Sequence, residues 1–271
     1  MFKELVLAIE GNERDVSAAP LAARLARQMD LPLRLLSVVA EEAETEARRD
    51  RLNAALEGLD AGDAVIEVLA DGDVAGRLVR EMRQRPDVLG CMPTHARAAV
   101  GEAVMGSVAG AVMRETGVPV VVVGPGYAAA EAGRIENLLV CLDTSPLSEA
   151  ILPVAAEFAR RGGITLWLVE VIDPATRGGA HGGADVAGEA SYVHQESDRL
   201  RREHGVKAGW EVLHGNDPAR ALVDYARGLS GAMIALTTHG RSGLSEILAG
   251  SVARQIIRSA PCPVLVVRPE E

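Results

Sequence analysis

Toward the carboxyl end of the chain, Thr237-Thr238-His239-Gly240-Arg241 is followed by Gly250-Ser251-Val252, with nine residues between Gly240 and Gly250. Glycine has no side chain, so the N–H groups of Gly240 and Gly250 can come close to a phosphate. Gly250 and Ser251 stand where an apolar helical pattern, Val252–Arg258, begins. A helix start gathers free N–H groups and the positive end of the peptide dipoles, which favours an anion. The Ser251 hydroxyl can bond a phosphate oxygen or cap the helix, and Arg241 can add a charge. Asp143, after the apolar run Leu138–Leu142, can accept a hydrogen bond from a ribose or a base edge. Each residue also has a plainer use: loop glycines serve turns, Asp143 and Ser251 can cap helices, and His239 can be structural. Grouped at strand ends, with the His and the Gly-Ser pair recurring elsewhere in the chain, they read as a site for a nucleotide's phosphate tail.

The recurrence is an internal repeat. Leu5–Glu10 aligns with Leu138–Asp143 at an offset of 133, which also carries Pro20-Leu21-Ala22-Ala23 onto Pro153-Val154-Ala155-Ala156. Later the offset is 144: Thr94-His95 onto Thr238-His239, Gly106-Ser107-Val108 onto Gly250-Ser251-Val252, and Pro119-Val120 onto Pro263-Val264. The second copy therefore holds 11 more residues, and the Gly-rich stretch 177–184 is the expected place. Residues 1–126 and 134–271 are the expected domains, with a Gly- and Ala-rich linker between them.

Each copy reads as alternating strands and helices, β-α-β-α-β-α-β-α-β. In the second copy the strands are expected at Asn137–Leu142, Ile164–Ile172, Lys207–Leu213, Ala232–Thr237 and Val264–Val267. Amphipathic stretches at Ser148–Arg161 and Pro218–Leu229 lie between them. Continuously apolar runs suit strands buried on both faces, and the alternation predicts a parallel sheet with right-handed crossovers. Ser145-Pro146 and Asp217-Pro218 read as helix starts, an oxygen-bearing cap followed by proline. In such a sheet ligands bind beyond the carboxyl ends of the strands, where the residues above fall.

At these residues the sequence resembles the universal stress protein family, over nearly the whole chain and twice. The family's nucleotide-binding members carry Gly, two residues, Gly, nine residues, then Gly followed by Ser or Thr. Gly240 and Gly250-Ser251 match, while the first glycine falls on Thr237. The family's strand-one aspartate falls on Asp143, beside Cys141 and Leu142, and its base-contacting valine on Val171. Val252 follows the Gly-Ser pair. The resemblance implies an α/β fold of two tandem doubly wound domains, each a five-stranded parallel sheet of the adenine nucleotide alpha hydrolase type. It implies ATP or a related adenine nucleotide as ligand, any Mg2+ arriving with the phosphates, and pairing of two such domains. Here the two copies are expected to pair with each other, with a homodimer of the whole chain as a further pairing. The first copy departs further: Glu10 replaces the aspartate, Pro93 and Ala96 stand at the first two glycines, and only Gly106-Ser107 persists. It is expected to bind nucleotide weakly or not at all and to support the second copy.

Composition narrows the alternatives. A net charge of −10 argues against a nucleic-acid partner, which needs a concentrated basic face. Aromatic residues make up only 3%, so Ala, Val, Leu and Ile must build the cores. Cys91, Cys141 and Cys262 have neither disulfide nor zinc spacing and read as buried free thiols. No apolar run reaches a membrane span and the first residues read as a strand, so a soluble cytoplasmic protein without membrane contact is expected. Neither a P-loop, nor a Gly-x-Gly-x-x-Gly after strand one, nor a Gly-x-Ser-x-Gly elbow occurs, and no acid–base pair is poised for hydrolysis. A nucleotide-binding stress-response or regulatory protein is the first reading. A scaffold acting through domain pairing and a slow ATPase are the others.

Overall fold

The structure is a computed structural model that describes residues 2–9, 18–85, 87–94, 106–127, 133–177, 190–238 and 250–269. The first half runs β1 (Glu4–Ala8), α1 (Ala19–Met29), β2 (Leu33–Val39), α2 (Thr45–Leu56), β3 (Val65–Ala70), α3 (Val74–Arg83), β4 (Val88–Pro93), α4 (Ser107–Glu115) and β5 (Val120–Val123). The second half runs β6 (Asn137–Leu142), α5 (Pro146–Glu149), α6 (Leu152–Gly162), β7 (Thr165–Ile172), α7 (Ser191–His204), β8 (Ala208–His214), α8 (Pro218–Arg227), β9 (Ala232–Thr237), α9 (Ser251–Ser259) and β10 (Val264–Val267). No helix among these residues is long and apolar enough to cross a membrane.

The strands lie in the order β3-β2-β1-β4-β5-β10-β9-β6-β7-β8. Within each half all pairs are parallel, as the alternating pattern predicts. The halves join through an antiparallel pair, β5 with β10, into one ten-stranded sheet. Val120 pairs with Val266, Val121 with Leu265 and Val122 with Val264. Under the offset of 144, Val121 and Leu265 are the same position and the outer pairs exchange. The contact is therefore self-complementary, as in a two-fold interface.

The helices cover both faces. One core layer joins α1, α2, α6 and α7 to the sheet, and the other joins α3, α4, α8 and α9. Both layers draw residues from both halves. Helix α1 meets α6 through the same pseudo-symmetry: Gln28 Nε2 donates to Gly162 O (2.9 Å) and Arg161 Nη1 to Met29 O (3.2 Å). The offset of 133 carries Gln28 onto Arg161 and Met29 onto Gly162. Gln28 also donates to Ile135 O (2.6 Å) and accepts from Ile135 N–H (3.1 Å), which clamps the chain where it runs into β6.

Elsewhere the two copies solve one position with different chemistry. Arg34 bonds Glu4 across β2 and β1 (2.9 Å), while at the matching places Trp167 Nε1 donates to Asn137 Oδ1 (3.0 Å). The indole needs room: a Cβ on Gly209 would lie 2.8 Å from its ring, so glycine stands there.

One predicted helix is two. Ser148–Arg161 does not run continuously, because Pro153 has no N–H and its ring crowds the preceding turn. The four-residue α5 ends at Glu149, and α6 starts afresh at Leu152 with Pro153 in its first turn. The expected starts at Ser145 and Asp217 are caps: Ser145 accepts from Ser148 N–H and Asp217 from Arg220 N–H.

Candidate functional site

The strand order places a reversal of connection between β6 and β9. Such a switch point splays the loops after the two strands and opens a crevice there. A cavity of about 470 Å³ occupies it, within the range of small-molecule sites. Its floor is apolar, from Val169, Val171, Leu222, Leu236 and Ile256. Around them stand Cys141, Leu142, Asp143 and Ser148 from the end of β6 and α5, Glu170, Ile172 and Asp173 from the end of β7, and Pro218 from α8. Thr237 closes one side, and Gly250, Ser251, Val252 and Ala253 form the rim at the start of α9.

Eight of the residues singled out in the sequence thus come together: Cys141, Leu142, Asp143, Val171, Thr237, Gly250, Ser251 and Val252. His239, Gly240 and Arg241 lie outside the described residues. So do Glu10 and Ala96 of the first copy, and most of the Gly-rich insertion. Sequence reading missed Glu170 and Asp173, which line the cavity with Asp143. The signal was present, since both flank Val171 and Ile172 at the carboxyl end of a predicted strand.

Three expectations need correction. The Gly250 N–H is not a free phosphate donor; it bonds Thr238 O at 2.8 Å. That bond ties the start of α9 to the end of β9. Gly106 does the same to Thr94 O at 2.7 Å, with φ −54° and ψ 151° against −55° and 159° at Gly250. Second, Ser251 does not cap α9. Gly250 is the cap residue and no side-chain cap bond is made, so the exposed Ser251 opens the first turn. Third, Cys141 as a residue is half-buried, because part of it lines the cavity, although its thiol is enclosed.

What remains at the rim is the first turn of α9. Its first intrahelical bond runs from Arg254 N–H to Gly250 O (3.1 Å). The N–H groups of Ser251, Val252 and Ala253 precede it, and helix geometry leaves such groups without an intrahelical partner. Gly250 has an ordinary φ, and among the described residues a Cβ there would meet only Thr238 O, at 3.8 Å.

Opposite the helix, Asp143 Oδ1 accepts from Ser145 N–H (3.1 Å) and from Ser145 Oγ–H (2.5 Å). Asp143 N–H in turn donates to Ser148 Oγ (3.2 Å). This net holds the carboxylate at the mouth. Thr144, between them, has φ 67°, a conformation a β-branched residue rarely adopts. Burial pushes the Cys141 thiol well above its ordinary range, with the Cys262 thiol adding to the effect, so it is no nucleophile at neutral pH. Among the described residues no three His, Cys, Asp or Glu side chains converge as metal ligands.

The fold defines a tandem α/β protein of two doubly wound units, the second with a crevice at its strand ends. The universal stress protein family model matches residues 1–124 and again 134–268, and the chain belongs to that family. A universal stress protein of Mycobacterium bovis is 30% identical over 188 residues, which cover 64% of this chain and 59% of that protein. The chain thus spans about three-fifths of the length of that relative. A crystal structure of a universal stress protein from Archaeoglobus fulgidus superposes with a TM-score of 0.67 over 98% of both chains, at 15% identity, and shares the fold. A second Archaeoglobus fulgidus family member, in complex with dAMP, is 25% identical, covers 50% of this chain and 99% of its own, and has a TM-score of 0.39.

Proposed function

We propose that the second half binds ATP or a related adenine nucleotide in the crevice between β6 and β9, and that occupancy serves as a regulatory signal rather than a step of turnover. The observation that carries the reading is the pairing of an apolar floor with two opposed polar rims. The floor suits an adenine ring. The carboxylates of Asp143 and Asp173 suit hydrogen-bond donors, namely ribose hydroxyls and the adenine amino group, and would repel phosphates. Phosphates belong at the other rim, on the first-turn amides of α9 and the Ser251 hydroxyl. Any Mg2+ would be held by the phosphates. The first half, with Pro93 ending β4 where the motif has glycine, acts as pairing partner and binds nucleotide weakly or not at all.

Calorimetry on the full chain with ATP, ADP and AMP tests this, together with mass spectrometry of any nucleotide that co-purifies. We expect one saturable site per chain. Gly250→Val should weaken ATP binding about tenfold or more, equivalent to ~1.4 kcal/mol, with the circular dichroism spectrum unchanged. An empty wild-type protein that takes up no nucleotide would leave a scaffold as the reading.

A further inference from the structure

The two ends of α9 have different neighbours. Ser251 and Val252, at the first end, form one rim of the cavity. The other end lies against the exit of the first half. A Cβ on Gly124 would stand 2.1 Å from Ile257 O, and one on Gly126 would stand 2.8 Å from Ala260 O. Side chains do not approach backbone oxygens that closely. Neither glycine is needed for a left-handed φ. Both are bare because the backbone of the first half rests directly on the last turn of α9.

That seat is firmly held. Gly124 follows Val123, whose carbonyl accepts from Thr94 N–H (3.0 Å) and from Thr94 Oγ1 (3.2 Å). Tyr127 N–H donates to Gly124 O (3.2 Å), and the Tyr127 hydroxyl accepts from Arg24 Nη2 (3.3 Å). The helix is equally firm. Ala253, Ile256 and Ile257 are buried, and Gln255 Nε2 bonds the Asp217 carboxylate that caps α8 (3.1 Å). Nine residues make a rod of about 13 Å, too short to bend appreciably. A shift at its seat is carried to its rim, where hydrogen bonds to a phosphate tolerate only a few tenths of an ångström. The repeat puts Arg268 where Gly124 stands, so the bare seat is particular to α9.

We infer that Gly124 and Gly126 are positioning residues for the nucleotide site: the first half seats α9 and so sets where its first-turn amides stand. The inference rests on the nucleotide reading of the cavity.

The test uses the full chain, with Gly124→Ala, Gly126→Ala and, as control, Gly72→Ala, whose added methyl meets nothing within 4 Å. ATP affinity is measured by calorimetry, and fold by circular dichroism and melting. Hydrogen exchange of the wild type is followed with and without ATP. We expect Gly126→Ala to bind ATP about fivefold more weakly or worse, Gly124→Ala more weakly still, and Gly72→Ala like the wild type. ATP should also slow exchange in the wild-type segment 120–127. Wild-type binding with folded seat variants of unchanged affinity, or with exchange changes confined to the second half, would overturn this inference alone. Absence of wild-type binding would instead remove the nucleotide reading and the inference with it. If the seat variants do not fold, the wild-type exchange result decides.

Discussion

Thr237 is the residue at which this site departs most from its motif. It ends β9 on the cavity wall and is 8% exposed. Its branched side chain occupies space between the ends of β6 and β9 that a glycine would leave open. Thr237→Gly should therefore tighten ATP binding severalfold, about threefold or more. It should also cost about 1 kcal/mol of stability, since glycine in a strand loses more conformational entropy on folding. Calorimetry beside urea unfolding separates the two effects, and weaker binding in the variant would show that Thr237 helps hold the ligand. Thr144 carries strain of another kind. Its positive φ sits between Asp143 and Ser145 at the mouth, where such backbone outliers commonly gather. Residue chemistry also sets what the thiols can do: burial pushes Cys91 and Cys262 up to about 12, so both stay protonated at neutral pH.

Between elements, the first half carries a chain of ion pairs from strand to helix. Glu4, Arg34, Glu67, Arg85, Glu81 and Arg77 follow one another across β1, β2, β3 and α3 at 2.9–3.3 Å. Glu81 is the most enclosed of them. Burial by itself would raise its carboxyl, but hydrogen bonding and charge from Arg85 and Arg77 outweigh that and hold it below its ordinary value. A lowered folded pKa gives stability that is complete above the unfolded pKa and is lost as pH falls through the folded one. Wild type should thus exceed Glu81→Gln in urea midpoint above about pH 5, with the gap closing below about pH 4. A gap that persists unchanged at low pH would show that the carboxylate charge contributes nothing. In the second half Tyr225 stands at the matching helix position, with its hydroxyl 3.4 Å from Glu211, so this acid sensitivity belongs to the first half.

At the scale of the molecule, the antiparallel pairing of β5 with β10 makes two similar units one body. Val264, Leu265 and Val266 are 0–2% exposed, and part of that cover is β5. Removing the first half would bare a self-complementary apolar strand. Residues 134–271 alone should therefore dimerise in sedimentation at micromolar concentration through β10, and Leu265→Lys should disperse the dimer. A monodisperse monomer of that piece would mean that β5 is dispensable to the second half.

Much of this was legible in the sequence. The repeat offsets of 133 and 144 place the strands within a residue or two, because buried parallel strands must be continuously apolar and the turns between them need glycine, proline or a capping oxygen. Asp143, Val171, Thr237 and the Gly250–Val252 run were legible as strand-end residues, and a parallel sheet gathers its strand ends on one edge. Other features needed the tertiary structure. No spacing in the chain reveals that the Gly250 amide goes to Thr238, because that bond depends on where the end of β9 and the start of α9 meet. Nor does spacing show that Gly124 and Gly126 are bare for the sake of Ile257 and Ala260, more than a hundred residues away. Local pattern determines which segments become strands and helices. Which backbones then touch across the molecule is decided only when both halves fold onto one sheet.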